Sequence, residues 1–246
     1  MPPLSTLDRR TVLQALSLAP LAAAIPQALR AQVDQAGLIS TDVCLVQPEL
    51  TEGPFYIDPE LVRSDITEGR AGLPMTLRLQ VVSADCTPIA GARVDVWHCD
   101  AQGVYSGVEN LGGGPDARGE SFLRGTQMTD AAGVATFQTI FPGWYPGRTT
   151  HVHYKVFLDG DAVLTSQIFF DEAVNQSIYD DHDAYAREGA RDMVNAADVI
   201  AGRAGDGAYA RVRMTEPDGA MEAALVVGVA PEGRAGGLLD WLFKKA

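Results

Sequence analysis

From residue 75 onward, apolar and polar side chains alternate with a period of two. Met75, Leu77, Leu79 and Val81 are separated by Thr76, Arg78 and Gln80, the pattern of a half-buried strand. "ARVDVWH" repeats it, with Ala92, Val94 and Val96 set against Arg93, Asp95 and Trp97. Further strands are predicted for "VATFQTIF", for "THVHYKV", for "AVLTSQIFFD" and for residues 221–229. Turn signals separate them, among them "CTPIAG" and Thr129-Asp130-Ala131-Ala132-Gly133. Short strands at this spacing, punctuated by Gly and Pro, predict an all-β fold, a β-sandwich, rather than βαβ units. Beyond the N-terminal segment, residues 180–201 carry the only helical pattern in the body of the chain, and "GGLLDWLFKKA" reads as a short amphipathic docking helix. The Gly-rich polar stretch 106–122 has the length of a functional loop.

The first thirty or so residues do not fit this pattern. Asp8-Arg9-Arg10-Thr11-Val12-Leu13 sets paired arginines before an apolar run, and Ala22-Ala23-Ala24 offers small residues for cleavage. Residues 1–31 therefore read as an export signal of the twin-arginine type, with a single domain over 32–246. The apolar run is too short for a membrane span and is broken by Pro20 and Pro26, so no span is expected in the mature chain. An exported protein matures in an oxidising compartment, where Cys44, Cys86 and Cys99 predict one disulfide and one leftover thiol. Cys44 and Cys86 lie in loop-like contexts and Cys99 at a strand end, which favours Cys44–Cys86. A formal charge of −13, from 32 acidic and 19 basic side chains, argues against a nucleic-acid partner.

Two of the four histidines and two tyrosines carry the candidate chemistry. In "PGWYPGRTTHVHYKV", His151 and His153 share one strand face, while Val152, Tyr154 and Val156 take the other. The apolar set is the core side, so the two imidazoles point together elsewhere. Tyr145 sits in a Pro-bracketed loop six residues before His151, and Tyr105 follows the turn at Gly103. His98, on a strand, reads as a hydrogen-bonded structural histidine. His182, among Asp180, Asp181 and Asp183, reads as a carboxylate-paired surface one.

These motifs, in this order, resemble the intradiol ring-cleavage dioxygenases. That family has a strand ending in a Gly-x-Tyr turn, a Pro-Gly-x-Tyr-Pro loop and an x-His-x-His strand. Here they are "GVYS", "PGWYP" and "THVHY", and the resemblance runs from "TEGPFY" at Thr51 to about Asp171. It implies a prealbumin-like β-sandwich in which Tyr105, Tyr145, His151 and His153 bind ferric iron, Fe(3+). It also implies that Arg148 stabilises charge on the substrate and that Gln167 belongs to the pocket. The reaction implied is intradiol cleavage of a catechol-type ring by O2 to a cis,cis-muconate-type diacid. By position either Tyr145 or Tyr105 could be the axial ligand that acts as base, and the resemblance favours Tyr105. Two phenolates and a hydroxide would balance three positive charges, so such a site can be buried without an isolated ion.

Substrate selection is left open by the residues. Glu109, Asp116, Arg118, Glu120 and Arg124 are the charged candidates for a pocket wall. The catechol-specific branch carries a helical dimerisation domain, and no long helical pattern precedes the sandwich here. Protocatechuate and plain, substituted or polyphenolic catechols all remain candidates, and a homo-oligomer is compatible with the sequence. Two other readings stand beside the enzyme. "PIAGARVDVW" and "TDAAGVATF" also resemble prealbumin-like binding modules without catalysis, and the same donors would accept zinc or copper.

Overall fold

In the computed structural model, residues 46–58, 60–109, 115–215 and 219–230 are described, and all of them fall in one compact unit, Leu38–Ala246. The strands are β1 (Pro74–Ser83), β2 (Arg93–Trp97), β3 (Arg124–Met128), β4 (Val134–Ile140), β5 (His151–Leu158), β6 (Asp161–Phe169), β7 (Arg211–Thr215) and β8 (Ala220–Val229). They form two four-stranded sheets, ordered β4-β1-β8-β7 and β3-β2-β5-β6. Every pairing within them is antiparallel except β1 with β8.

The alternating pattern is the reason for the sandwich. Met75, Leu77, Leu79 and Val81 from the first sheet meet Val94, Val96, Val152, Tyr154 and Val156 from the second in one buried cluster. Each such side chain contributes about 1.5–3 kcal/mol on burial. A one-residue slip of β5 would turn His151 and His153 into that cluster and Val152 out of it, so the core fixes which way the histidines face.

Two strands escape the pattern. β3 ("RGTQM") and β7 ("RVRMT") lie at the sheet edges, β7 beside β8 alone and β3 beside β2, with a single bridge from Val62 to Thr126 on its outer side. β3 buries Arg124 and Thr126, each with its polar group hydrogen-bonded. β7 is mostly exposed, so it needs no apolar alternation, and charge there discourages pairing between molecules. Arg213 on β7 accordingly pairs with Glu222 on β8.

The helix predicted for 180–201 is not formed as such. α1 spans Glu172–Asp181 and ends at His182, whose backbone is extended. α2 spans only Val199–Ala204, with the Asp198 side chain accepting from the Ile200 and Ala201 N–H groups. Between them Gly189 takes a φ of +85°, open to glycine and costly to other residues. His182 forms no carboxylate ion pair among the described residues, contrary to the sequence expectation; its backbone N–H bonds the Ile178 carbonyl instead.

Cys99 is a free, buried thiol and Cys86 is disulfide-bonded. The predicted signal, Cys44 and the C-terminal docking helix lie outside the described residues. Among the described residues no helix is long and apolar enough to cross a membrane.

Candidate metal centre

The second sheet presents a row of side chains on the face away from the core. Trp97 on β2 stands opposite Arg124 on β3 and opposite His153 on β5, and His153 stands opposite Gln167 on β6. Four strands thus contribute one residue each to a line across the sheet. His151 lies one step further along β5, opposite Phe169.

Two loops bring the tyrosines over this line. Their approach is backbone to backbone. A side chain at Gly103, two residues before Tyr105, would overlap the Trp144 carbonyl, and one at Gly143 would overlap the carbonyls of Asp100 and Ala101. The Gly143 N–H donates to the Asp100 carbonyl at 3.1 Å. The Arg187 guanidinium lies 3.4 Å from the Trp144 ring centroid and donates to the Gln102 carbonyl, fastening both loops from outside.

The result is a convergence on one atom. His151 Nε2 lies 3.4 Å from the Tyr105 hydroxyl, 3.2 Å from the Tyr145 hydroxyl and 3.1 Å from His153 Nε2. His151 Nδ1 lies 2.7 Å from the Thr149 carbonyl, which only accepts, so Nδ1 carries the proton and Nε2 a single lone pair. One lone pair cannot serve three polar neighbours. Around a metal bound at about 2.0–2.1 Å, however, donor atoms stand roughly 3.0–3.4 Å from each other. The four donors therefore have the spacing of a coordination shell. No cluster of three or more His, Cys, Asp or Glu exists among the described residues, so the phenols are indispensable to any such shell here.

Burial keeps all four groups neutral. Burial, then Arg148, lowers His151 to about 3, and burial with His151 beside it depresses His153 well below the usual imidazole range. Both rings are neutral and offer lone pairs. Burial raises Tyr145 to about 12, and burial together with Tyr145 raises Tyr105 well above the usual phenol range. Neither phenol ionises near neutrality unless a cation does the work. Two phenol oxygens and two imidazoles suit a hard or borderline trivalent ion better than magnesium or calcium. The donor set fits ferric iron.

Arg148 and Gln167, the two further residues the resemblance singled out, are in direct contact. Arg148 Nη2 donates to Gln167 Oε1 at 2.6 Å, and Gln167 Nε2 donates to the Thr51 carbonyl at 2.9 Å. Asp198 was not foreseen. Its Oδ2 accepts from Arg148 Nε at 2.8 Å and from the Thr149 N–H at 2.9 Å. Burial alone would raise this carboxyl, but those donors outweigh it and hold it below the usual range. Also unforeseen is the strap "GPFY". Phe55 stacks on Tyr105 at 4.4 Å and 18° and meets Tyr145 edge-on.

The predicted pocket-wall charges go elsewhere. Glu109 is exposed, Arg118 pairs with Asp116, and Glu120 pairs with Arg70, all at the surface. Arg124 is 3% exposed and donates to the carbonyls of Ser106 and Phe55, tying the Tyr105 turn to the strap. His98 is structural, as expected: Nδ1 donates to the Cys99 carbonyl and Nε2 accepts from the Thr139 hydroxyl.

His98 also carries a pH dependence. Burial lowers it to about 4 from 6.5, so below pH 6.5 the unfolded chain binds the proton and the folded one does not. Stability falls as pH drops through this window and levels off below about 4. The loss is on the order of 3 kcal/mol, from the spacing of the two pKa values. Urea melts of the protein and of His98→Gln between pH 7 and 4 check this; the variant is expected to show the shallower slope.

A family model described as "Dioxygenase" matches residues 48–205. The chain belongs to the intradiol ring-cleavage dioxygenase family. It is 30% identical over 184 residues to a catechol 1,2-dioxygenase of Acinetobacter baylyi, covering 65% of this chain and 57% of that protein. The chain spans about half the length of the curated relatives it matches. An intradiol ring-cleavage dioxygenase from Tetranychus urticae superposes with a TM-score of 0.72 at 34% identity, over 78% of this chain and 98% of that one. The dioxygenase domain of a dioxygenase–carbohydrate-binding fusion from Streptomyces sp. SirexAA-E gives 0.55 at 27% identity, over 76% and 99%.

Proposed function

We propose that this chain is an exported non-haem iron(III) enzyme. It cleaves a catechol-type ring between the two hydroxyl-bearing carbons with O2, giving a cis,cis-muconate-type diacid. The observation that carries this reading is the approach of two phenol oxygens and the second imidazole to within 3.4 Å of His151 Nε2. A non-catalytic sandwich module has no need to bury such a set, which disfavours that alternative.

Bound ferric iron would supply a Lewis acid and a template for the two catechol oxygens. Tyr105, Tyr145, His151 and His153 would hold it. Ionised by the bound cation, the Tyr105 oxygen would be free to take the second catechol proton. Arg148 faces the charge that develops on the ring, held in place by Asp198 and Gln167. Phe55, stacked on Tyr105, keeps water from that side. Both atoms of O2 enter the product, so no external reductant is required. The twin-arginine segment over residues 1–31 supports export, and the disulfide state of Cys86 supports its pairing with Cys44.

Oxygen uptake by iron-loaded protein over catechol, alkylated catechols, pyrogallol-type polyphenols and protocatechuate tests the reading. Consumption of one O2 per ring by at least one substrate is expected. A protein that holds ferric iron but consumes oxygen with none of them would contradict it. His182→Ala, altered away from the four donors, is expected to keep wild-type iron content and colour on metal analysis.

A further inference from the structure

The two candidate ligand histidines are held in different ways. His151 is oriented by the hydrogen bond from Nδ1 to the Thr149 carbonyl. His153 is 1% exposed, yet its Nδ1 has no hydrogen-bond partner. Metal-binding histidines ordinarily donate this second N–H to a carboxylate, carbonyl or water, which fixes the ring. Without that bond the ring torsion has a broad minimum, so something else must set the direction of Nε2.

The neighbour that does so is visible in the strand register. Trp97 stands directly opposite His153 in the β2–β5 ladder. Its indole lies parallel to the imidazole, 9° between planes and 4.9 Å between centroids. Tyr56 packs on Trp97 at 4.8 Å. The Tyr56 hydroxyl donates to Asp95 at 3.0 Å, a fully buried carboxylate that also accepts from Thr126 and Arg93. The Trp97 indole N–H has no partner either, so Trp97 too is held by packing. Gly53 flanks the imidazole edge, where an added Cβ would stand 3.5 Å from His153 Cε1.

We propose that Trp97 is the positioning residue for His153, replacing by face-to-face stacking the outer hydrogen bond that this ligand lacks. The inference rests on the reading above that His153 holds iron. A flat aromatic face at position 97 keeps the imidazole plane, and with it the Nε2 lone pair, aimed at the shared point. An aliphatic side chain there fills space but sets no plane.

The test compares Trp97→Phe with Trp97→Leu, both loaded with ferric iron. Release of iron to a chelator and the position of the phenolate-to-iron absorption band are followed, and circular dichroism shows whether each variant is folded. Trp97→Leu is expected to weaken iron retention by about 10–100-fold, the usual effect of losing an outer-shell partner, and to shift the band. Trp97→Phe is expected to restore both toward wild type. A folded Trp97→Leu protein with wild-type release and an unmoved band would overturn the proposal. If Trp97→Leu does not fold, wild-type protein loaded with diamagnetic gallium(III) decides by proton NMR. The His153 ring protons are expected upfield of those of His151, and coincident shifts would overturn the stacking. Wild-type protein that binds no ferric iron would overturn the functional reading itself, an outcome distinct from both.

Discussion

Replacing His151 with alanine is expected to abolish ferric iron binding and the colour that goes with it. The Nε2 of this residue is the one atom that all three other donors approach, at 3.1 to 3.4 Å. Truncation removes a neutral donor whose lone pair is already fixed in direction by the Thr149 carbonyl. It also leaves the buried Tyr105 phenol and the half-buried Tyr145 phenol without their shared partner. Loss of an outer-shell contact costs about 10–100-fold in metal affinity, so loss of a direct donor should exceed about 100-fold. Tyr145→Phe is expected to act in the same direction for a different reason. It deletes one of two anionic donors, leaving the ion's charge less well balanced in a buried site. Metal analysis after dialysis, with the visible spectrum, checks both. A His151→Ala protein with wild-type iron content would show that the convergence has another cause.

Gly103→Ala is expected to damage fold and site together. Gly103 has a φ of +84°, a conformation costing other residues about 1–2 kcal/mol. Its new Cβ would also overlap the Trp144 carbonyl in the loop that carries Tyr145. Relieving that overlap costs a further ~1–3 kcal/mol and forces the two tyrosine loops apart. For a chain of this size each kcal/mol lowers Tm by about 2–4 °C, so a fall of roughly 5–15 °C is expected. Iron should be lost along with it. Gly147→Ala is the informative comparison, since Gly147 also has a positive φ, +82°, in the same loop but nothing within 4 Å of its added Cβ. That variant should lose only the backbone contribution and keep its iron. Equal effects of the two substitutions would mean that loop contact at Gly103 does not position Tyr105.

Period-two alternation made the sandwich legible, because a strand buried on one face writes its register into its side chains. Val152, Tyr154 and Val156 are buried in the core as that argument requires, and His151 with His153 faces the opposite side. The edge strands β3 and β7 were not legible, because β3 is built of Arg, Gly, Thr, Gln and Met and β7 offers only Val212 and Met214 as apolar positions. β4 and β6, also at edges, carry enough apolar residues to be predicted. The helical reading of 180–201 does not survive as one helix, and Gly189, at positive φ, lies in the break. Asp198 before Val199 and Ile200 was a readable helix-start signal that would have placed α2. That Asp198 also holds Arg148, fifty positions earlier in the chain, was not readable. The same is true of Trp97 beside His153, because cross-strand partners are set by a register that no local pattern reveals. The motifs and their order singled out Tyr105, Tyr145, His151 and His153, whose side chains converge; what packs around them became visible only in three dimensions.

Titration of metal-free protein with ferric iron under anaerobic conditions, followed by visible absorption, addresses the shared-ion geometry most directly. One equivalent should develop a red-brown phenolate-to-iron band that disappears on adding a strong chelator. A colourless complex, or colour that grows without reaching an end point at one ion per chain, would contradict the assignment of Tyr105 and Tyr145 to a common metal.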